Sequence, residues 1–99
     1  MDKNFIINKL SSLKPKYEKE GLIILGLFGS YAKNKQTKYS DIDIAYKLDY
    51  EKFSSTYKDG FSKLLRIDEI KKDLENIFKT KIDLVPDNNK NIFSEIVYV

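Results

Sequence analysis

The chain has 99 residues, 41% of them hydrophobic and 33% charged, enough for one modest core, so a single domain over 1–99 is expected. Its 17 lysines and one arginine against 15 acids leave a net charge of only +3, spread along the chain. That is not the concentrated basic face of a duplex binder, and no direct nucleic-acid binding is expected. With no cysteine and no histidine there is no disulfide framework, no thiolate or imidazole metal site and no histidine base. Catalysis would rest on carboxylates, Lys, Tyr or Ser, and any metal would be a hard cation held by oxygen. No apolar run approaches the about 20 residues of a membrane span. The start, Met1-Asp2-Lys3-Asn4, lacks the regions of an export signal, so a cytoplasmic location without membrane contact is expected.

In chain order, Ile6, Leu10, Leu13 and Tyr17 recur at helical spacing. They predict an amphipathic helix over 2–13 that breaks near Leu13 and Lys14, because Pro15 has no N–H with which to continue it. A turn then ends at Gly21. Residues 22–28 are almost continuously apolar, the pattern of a strand covered on both faces, and Gly26 within it points to close approach of another backbone. Gly29-Ser30 closes that strand. Ser30 is expected to N-cap a short helix over 31–33, which Asn34 stops in the left-handed conformation. A polar loop over 35–40 leads to 41–46, where Ile42, Ile44 and Tyr46 alternate with Asp41, Asp43 and Ala45 as in a strand. The segment 47–60 is polar with scattered aromatics and predicts no definite element; Tyr46, Tyr50 and Tyr57 read as packing and interface residues. Over 61–78, Phe61, Leu64, Leu65, Ile67, Ile70, Leu74, Ile77 and Phe78 form a helical apolar stripe expected to be core. Residues 81–85 make a third strand, with Ile82 and Leu84 opposite Asp83, stopped by Pro86. A last helix over 88–96 and an edge strand over 97–99 complete the prediction.

Carboxylates in apolar strands are costly unless something compensates them. Asp41 and Asp43, two residues apart on a strand, share one face about 6.6–6.8 Å apart along the backbone. Bare charges that close repel, and one pKa would rise. A divalent cation carrying nucleotide phosphates is the compensation that fits. Mg²⁺ takes oxygens octahedrally at about 2.0–2.1 Å, commonly one or two carboxylates with phosphates and water. A neighbouring strand that set Asp83 on the same side would complete a three-carboxylate site for two Mg²⁺ ions about 3.5–4 Å apart. Asp83 could also accept the proton of an incoming hydroxyl. At the phosphate end, Gly29 lets the backbone approach without a Cβ, and Ser30 adds a hydroxyl. The N–H groups that open the following helix favour anions, and Lys33 one turn on is a candidate counter-charge. Taken singly, Gly-Ser or Asp-x-Asp is an ordinary turn or strand edge, and Lys33, Lys35 and Lys38 also read as a solvated basic loop. The conjunction is what points to chemistry.

Leu27-Phe28-Gly29-Ser30-Tyr31-Ala32-Lys33, then Ser40-Asp41-Ile42-Asp43-Ile44-Ala45, then Asp83-Leu84-Val85, resembles the nucleotidyltransferases of the DNA polymerase β-like superfamily. The match is closest to the minimal nucleotidyltransferase (MNT) domains and runs over nearly the whole chain. The resemblance implies an α/β (α+β) nucleotidyltransferase fold, a small mixed sheet flanked by helices. It also implies Mg²⁺-dependent transfer of a nucleoside monophosphate from an NTP, with release of pyrophosphate. Gly29 and Ser30 would bind the triphosphate, Asp41 and Asp43 would hold the metals, and Asp83 would be the third acid and the base. MNT domains are found as antitoxins beside HEPN-domain RNase toxins, which implies ATP as substrate, a HEPN-type toxin as hetero-oligomeric partner and a toxin tyrosine as AMP acceptor. The chain departs from the family at Asn34, where a glycine is common, and at Lys33, where Arg is more frequent. Asn tolerates the same backbone, whereas Lys keeps the charge and loses the bidentate fork. The extra helical domain of larger relatives does not follow Val99, so another subunit is expected to complete the acceptor pocket. Two other readings stand beside this one. A non-catalytic antitoxin could mask the toxin by contact, although it would gain nothing from buried carboxylates. Transfer to a small molecule such as an aminoglycoside, or to an RNA end, is disfavoured by the weak net charge and the missing second domain.

Overall fold

The computed structural model describes residues 1–88 and 95–99. In chain order it has α1 (Lys3–Glu18), β1 (Leu22–Phe28), α2 (Gly29–Ala32), β2 (Ile42–Leu48), α3 (Tyr50–Thr56), α4 (Gly60–Phe78), β3 (Ile82–Pro86) and β4 (Val97–Tyr98). The strands form one sheet in the order β3-β2-β1-β4. β1 runs antiparallel to β2 and β4, and β2 runs parallel to β3, so the sheet is mixed and the α/β class is the expected one.

Asp2 caps α1, its Oδ1 accepting from the Phe5 N–H at 2.9 Å, and Ile6, Leu10 and Tyr17 are buried along one face. The helix does not break near Leu13 but continues through Pro15 to Glu18. Proline forfeits one N–H bond. Here its ring is exposed, its carbonyl still accepts from the Lys19 N–H at 3.3 Å, and the fully buried Tyr17 anchors the last turn. Burial of that ring helps to hold the last turn, although its hydroxyl is buried without a hydrogen-bond partner among the described residues.

Leu22, Ile24 and Leu27 of β1 are buried, while Ile23, Leu25 and Phe28 are half-covered, so one face rather than both is sealed. Gly26 has the role its sequence context suggests. A Cβ there would overlap the Val97 carbonyl oxygen of β4, and the register with β2 shifts between Ile24 and Gly26. The segment that predicted no element holds α3. Asp49 caps it, accepting from the Lys52 N–H at 3.2 Å, and Phe53 is its buried anchor, packed against Tyr57 with the rings tilted by 45° and 4.9 Å between ring centroids. One buried residue in two turns leaves no periodicity to read.

α4 corrects the expectation of a continuous core stripe. Ile70, Leu74 and Phe78 are buried and Ile67 partly so, but Phe61, Leu64, Leu65 and Ile77 are 72, 69, 49 and 36% exposed. With 3.6 residues per turn, Phe61 and Leu65 fall on the side of the helix opposite Ile70 and Leu74. Apolar residues wrap around this helix, and the sheet covers only one side. Of the last predicted helix, residues 89–94 lie outside the described residues. β4 is the expected edge strand, only two residues long.

One polar cluster ties these layers together. Arg66 Nε and Nη2 donate to Glu20 Oε1 and Oε2 at 2.8 and 2.7 Å, and the Tyr57 hydroxyl also donates to Oε1. Among the described residues, no helix is long and apolar enough to cross a membrane.

Candidate functional site

Parallel pairing of β2 with β3 sets Ile42 opposite Ile82 and Asp43 opposite Asp83. Residues directly opposite on neighbouring strands point to the same face, and the strands lie about 4.8 Å apart. Asp41 directly precedes β2, at the same edge of the sheet; Ile42 beyond it donates its N–H to the Lys81 carbonyl at 2.9 Å. Strand alternation sends Asp41, Asp43 and Asp83 to one side while Ile42, Ile44 and Ile82 enter the core. The parallel register thus puts the third acid, 40 residues further along the chain, on the same face as the other two.

β1 delivers the glycine turn to the same place. Phe28 pairs with Asp43, and Gly29 follows at once. Gly29 has φ 74°, the left-handed region, and a Cβ on it would overlap Asp43 Oδ2. The sequence suggested Gly29 as an opening for a phosphate; the fold adds that a side chain there would collide with a site carboxylate. Because the left-handed glycine lets the chain enter the helix early, α2 begins at Gly29, with Phe28 in the capping position and no side-chain cap. Ser30 is therefore the second residue of α2 and not its N-cap. Asn34 ends the turn at φ 57°, as expected of a left-handed stop.

The electrostatics are unbalanced. Burial, then the charge of Asp83, then that of Asp41 push the Asp43 carboxyl up to about 6. Among the described residues no cation forms an ion pair with any of the three acids. Nor are any three acids gathered closely enough to enclose a metal ion as they stand. The donor set nevertheless fits a hard divalent cation: it is all carboxylate oxygen, uncompensated, and paired in register. Lys33, the candidate counter-charge, pairs with none of them. Its Nζ lies 2.6 Å from Glu95 Oε1, both side chains being about half-exposed. Glu95 has no signal in the sequence, since only folding brings it beside α2.

A second feature also escaped sequence reasoning. A cavity of about 560 Å³ opens at the other end of β2 and β3, lined by Tyr46, Leu48, Tyr50, Leu64, Ile67 and Pro86, and it touches none of the acids.

The sequence model of the nucleotidyltransferase domain matches residues 6–98. Three proteins of Methanocaldococcus jannaschii that carry the provisional name protein adenylyltransferase are 34, 36 and 32% identical to the chain over 94 residues. Each alignment covers 88% of this chain and 83% of the relative. No solved structure matches it. With that match over nearly its whole length, and with paired acids beside a Gly-Ser turn, the chain belongs to the nucleotidyltransferase domain family and is a nucleotidyltransferase.

Proposed function

We propose that this nucleotidyltransferase moves AMP from ATP to a hydroxyl of a partner protein, with Mg²⁺ as its metal and, in the cytoplasm, a tyrosine of a HEPN-type RNase toxin as the acceptor. The observation that carries the reading is the parallel register that sets Asp83 beside Asp43, with Asp41 at the same edge and Gly29 against the Asp43 carboxylate. The names of the relatives from Methanocaldococcus jannaschii support a protein acceptor.

In this reading Asp41 and Asp43 hold the metal, and Asp83 is the third carboxylate. Mg²⁺, when bound, neutralises the phosphates and the charge that develops on the attacking and leaving oxygens. Ser30 donates its hydroxyl to a phosphate oxygen, and Gly29 leaves that approach open. Lys33 supplies a further positive charge once a phosphate takes the place of Glu95. The acceptor oxygen attacks the α-phosphorus, the bond from phosphorus to the pyrophosphate oxygen breaks, and the hydroxyl proton passes to Asp83. Asp83 is exposed on an edge strand, where a side chain from another molecule can reach it.

The test is intact-mass spectrometry of the partner toxin after incubation with the protein, ATP and Mg²⁺. One AMP on a toxin tyrosine is expected. Asp41→Asn combined with Asp43→Asn should lower the rate at least about 100-fold, the scale of lost transition-state electrostatics. Complex formation should persist. Undiminished neutralisation of the toxin by that double variant would establish masking by contact instead, a reading that the exposed start of α4 favours.

A further inference from the structure

β3 is an edge strand, so β2 holds it from one side only. What fixes its other side decides how firmly Asp83 stands beside Asp43. A trans peptide sends its C=O and its N–H in opposite directions. In the peptide between Lys81 and Ile82 the carbonyl faces β2, where it accepts from the Ile42 N–H at 2.9 Å. The N–H therefore faces the open edge. There it donates to Glu75 Oε2 of α4 at 3.1 Å, in partly buried surroundings. One peptide plane, directly before Asp83, is thus gripped from both sides. At the far end of β3, Pro86 has no N–H to offer a partner.

Glu75 stands on a firm base. Leu74 and Phe78, on the same last turn of α4, are buried. The Glu75 carbonyl accepts from the Lys79 N–H at 2.8 Å, and Lys79, at φ 55°, turns the chain back towards the sheet. A carboxylate in the last turn of a helix opposes the helix dipole. Among the described residues no lysine or arginine forms an ion pair with it. The helix by itself therefore gains nothing from an acid at this position. The Ile82 N–H does, because an ionised acceptor makes a stronger hydrogen bond than a neutral one.

We propose that Glu75 is a positioning residue for the transfer reaction. By holding the peptide between Lys81 and Ile82 it keeps Asp83 level with Asp43 and within reach of the incoming hydroxyl. The inference rests on the reading of Asp83 as the third carboxylate. Its consequence is selective. Asp41, Asp43, Gly29 and Ser30 belong to segments that the Glu75 bond does not touch, so loss of the bond slows the chemical step and spares nucleotide binding. Misplacing a reacting group by about 1 Å is enough to cost about 100-fold in rate.

Three substitutions test it. Glu75→Gln keeps an acceptor oxygen at the same reach, Glu75→Leu removes it, and Glu75→Asp keeps the charge but shortens the reach by a methylene. In hydrogen exchange read by NMR, the Ile82 amide should lose protection about tenfold in Glu75→Leu and keep it in Glu75→Gln. On addition of ATP with Mg²⁺, the amide signals of Asp43 and Asp83 should both shift in wild type and Glu75→Gln. In Glu75→Leu the shift at Asp83 should collapse while Asp43 keeps its own. In AMP transfer to the partner toxin, Glu75→Leu and Glu75→Asp should lower kcat about 10–100-fold with KM for ATP within about twofold, and Glu75→Gln should stay near wild type. In an Asp83→Asn background, Glu75→Leu should bring no further loss, because a residue acting only through Asp83 then has nothing to position. Unchanged Ile82 protection in Glu75→Leu, a Glu75→Gln variant as impaired as Glu75→Leu, or losses that multiply with Asp83→Asn would overturn the proposal. If Glu75→Leu fails to fold, Glu75→Asp set against Glu75→Gln decides it by the same readouts. Selective loss of the Asp83 response, with no AMP transfer by the wild-type protein, would uphold the placement of Asp83 by Glu75 and fault the acceptor chemistry alone.

Discussion

Asp43 is a half-buried carboxylate with no counter-ion among the described residues, and its titration reports directly on the site. Its pKa is raised to about 6 by burial and by Asp83 and Asp41. In the unfolded chain it returns to about 3.9. Between those values the folded state binds more protons than the unfolded one, so stability falls as pH rises through that window and stays lower above it. The metal-free protein is therefore expected to have a lower urea midpoint at pH 7 than at pH 5, and Asp43→Asn should remove most of the difference. A divalent cation competes with the proton for the same oxygens, so Mg²⁺ affinity should climb as pH passes about 6, which calorimetry at pH 5, 6 and 7 would read. Glu20 works in the opposite sense. The Arg66 hydrogen bonds hold its carboxyl below the ordinary range, so the stability it contributes is lost only as pH falls below about 4.3. Comparing wild type with Asp43→Asn isolates the upper window.

Among the elements, β4 is held most narrowly. It pairs with β1 only at Gly26 with Tyr98 and Leu27 with Val97, helped by the Val99 N–H donating to the Leu25 carbonyl at 3.0 Å. Gly26→Ala would push a methyl group into the Val97 carbonyl. Overpacking of this kind costs about 1–3 kcal/mol, and here the two-residue strand is the part free to move. Hydrogen exchange of the Val99 amide should therefore accelerate in the variant while amides of β2 and β3 keep their protection, with the stability loss read from urea denaturation. α1 and α4 make the complementary point. A buried Tyr17 carries α1 past a proline, and a long apolar stripe does not guarantee that a neighbour exists to cover it.

Across the whole molecule, the Glu20 carboxylate joins three parts distant in sequence: the turn before β1, the end of α3 through Tyr57, and α4 through Arg66. The pair is partly buried, which places it above the about 0–1 kcal/mol of a surface salt bridge. Arg66→Lys keeps the charge but breaks the two-pronged contact, and is expected to cost about 1–2 kcal/mol. Arg66→Ala leaves Glu20 with only the Tyr57 donor and should cost about 2–3 kcal/mol, both read from the shift in urea midpoint. Neither variant touches the acids, so ATP binding at a temperature where the fold holds should be unchanged.

Local spacing alone determined the faces and most of the elements. Alternation of Ile42, Ile44 and Tyr46 with Asp41 and Asp43 dictates that the acids leave the sheet on one side, and Gly29-Ser30 marks the strand end beside them. Such patterns are intrinsic to a strand or a helix, because side-chain direction follows from backbone periodicity. Tertiary structure decided the rest: that Asp83 sits opposite Asp43, that Glu95 meets Lys33, that α1 survives Pro15, and that the first turns of α4 stay uncovered. Each of these depends on which segments meet after long loops close, and a local repeat carries no information about a neighbour that arrives 40 residues later.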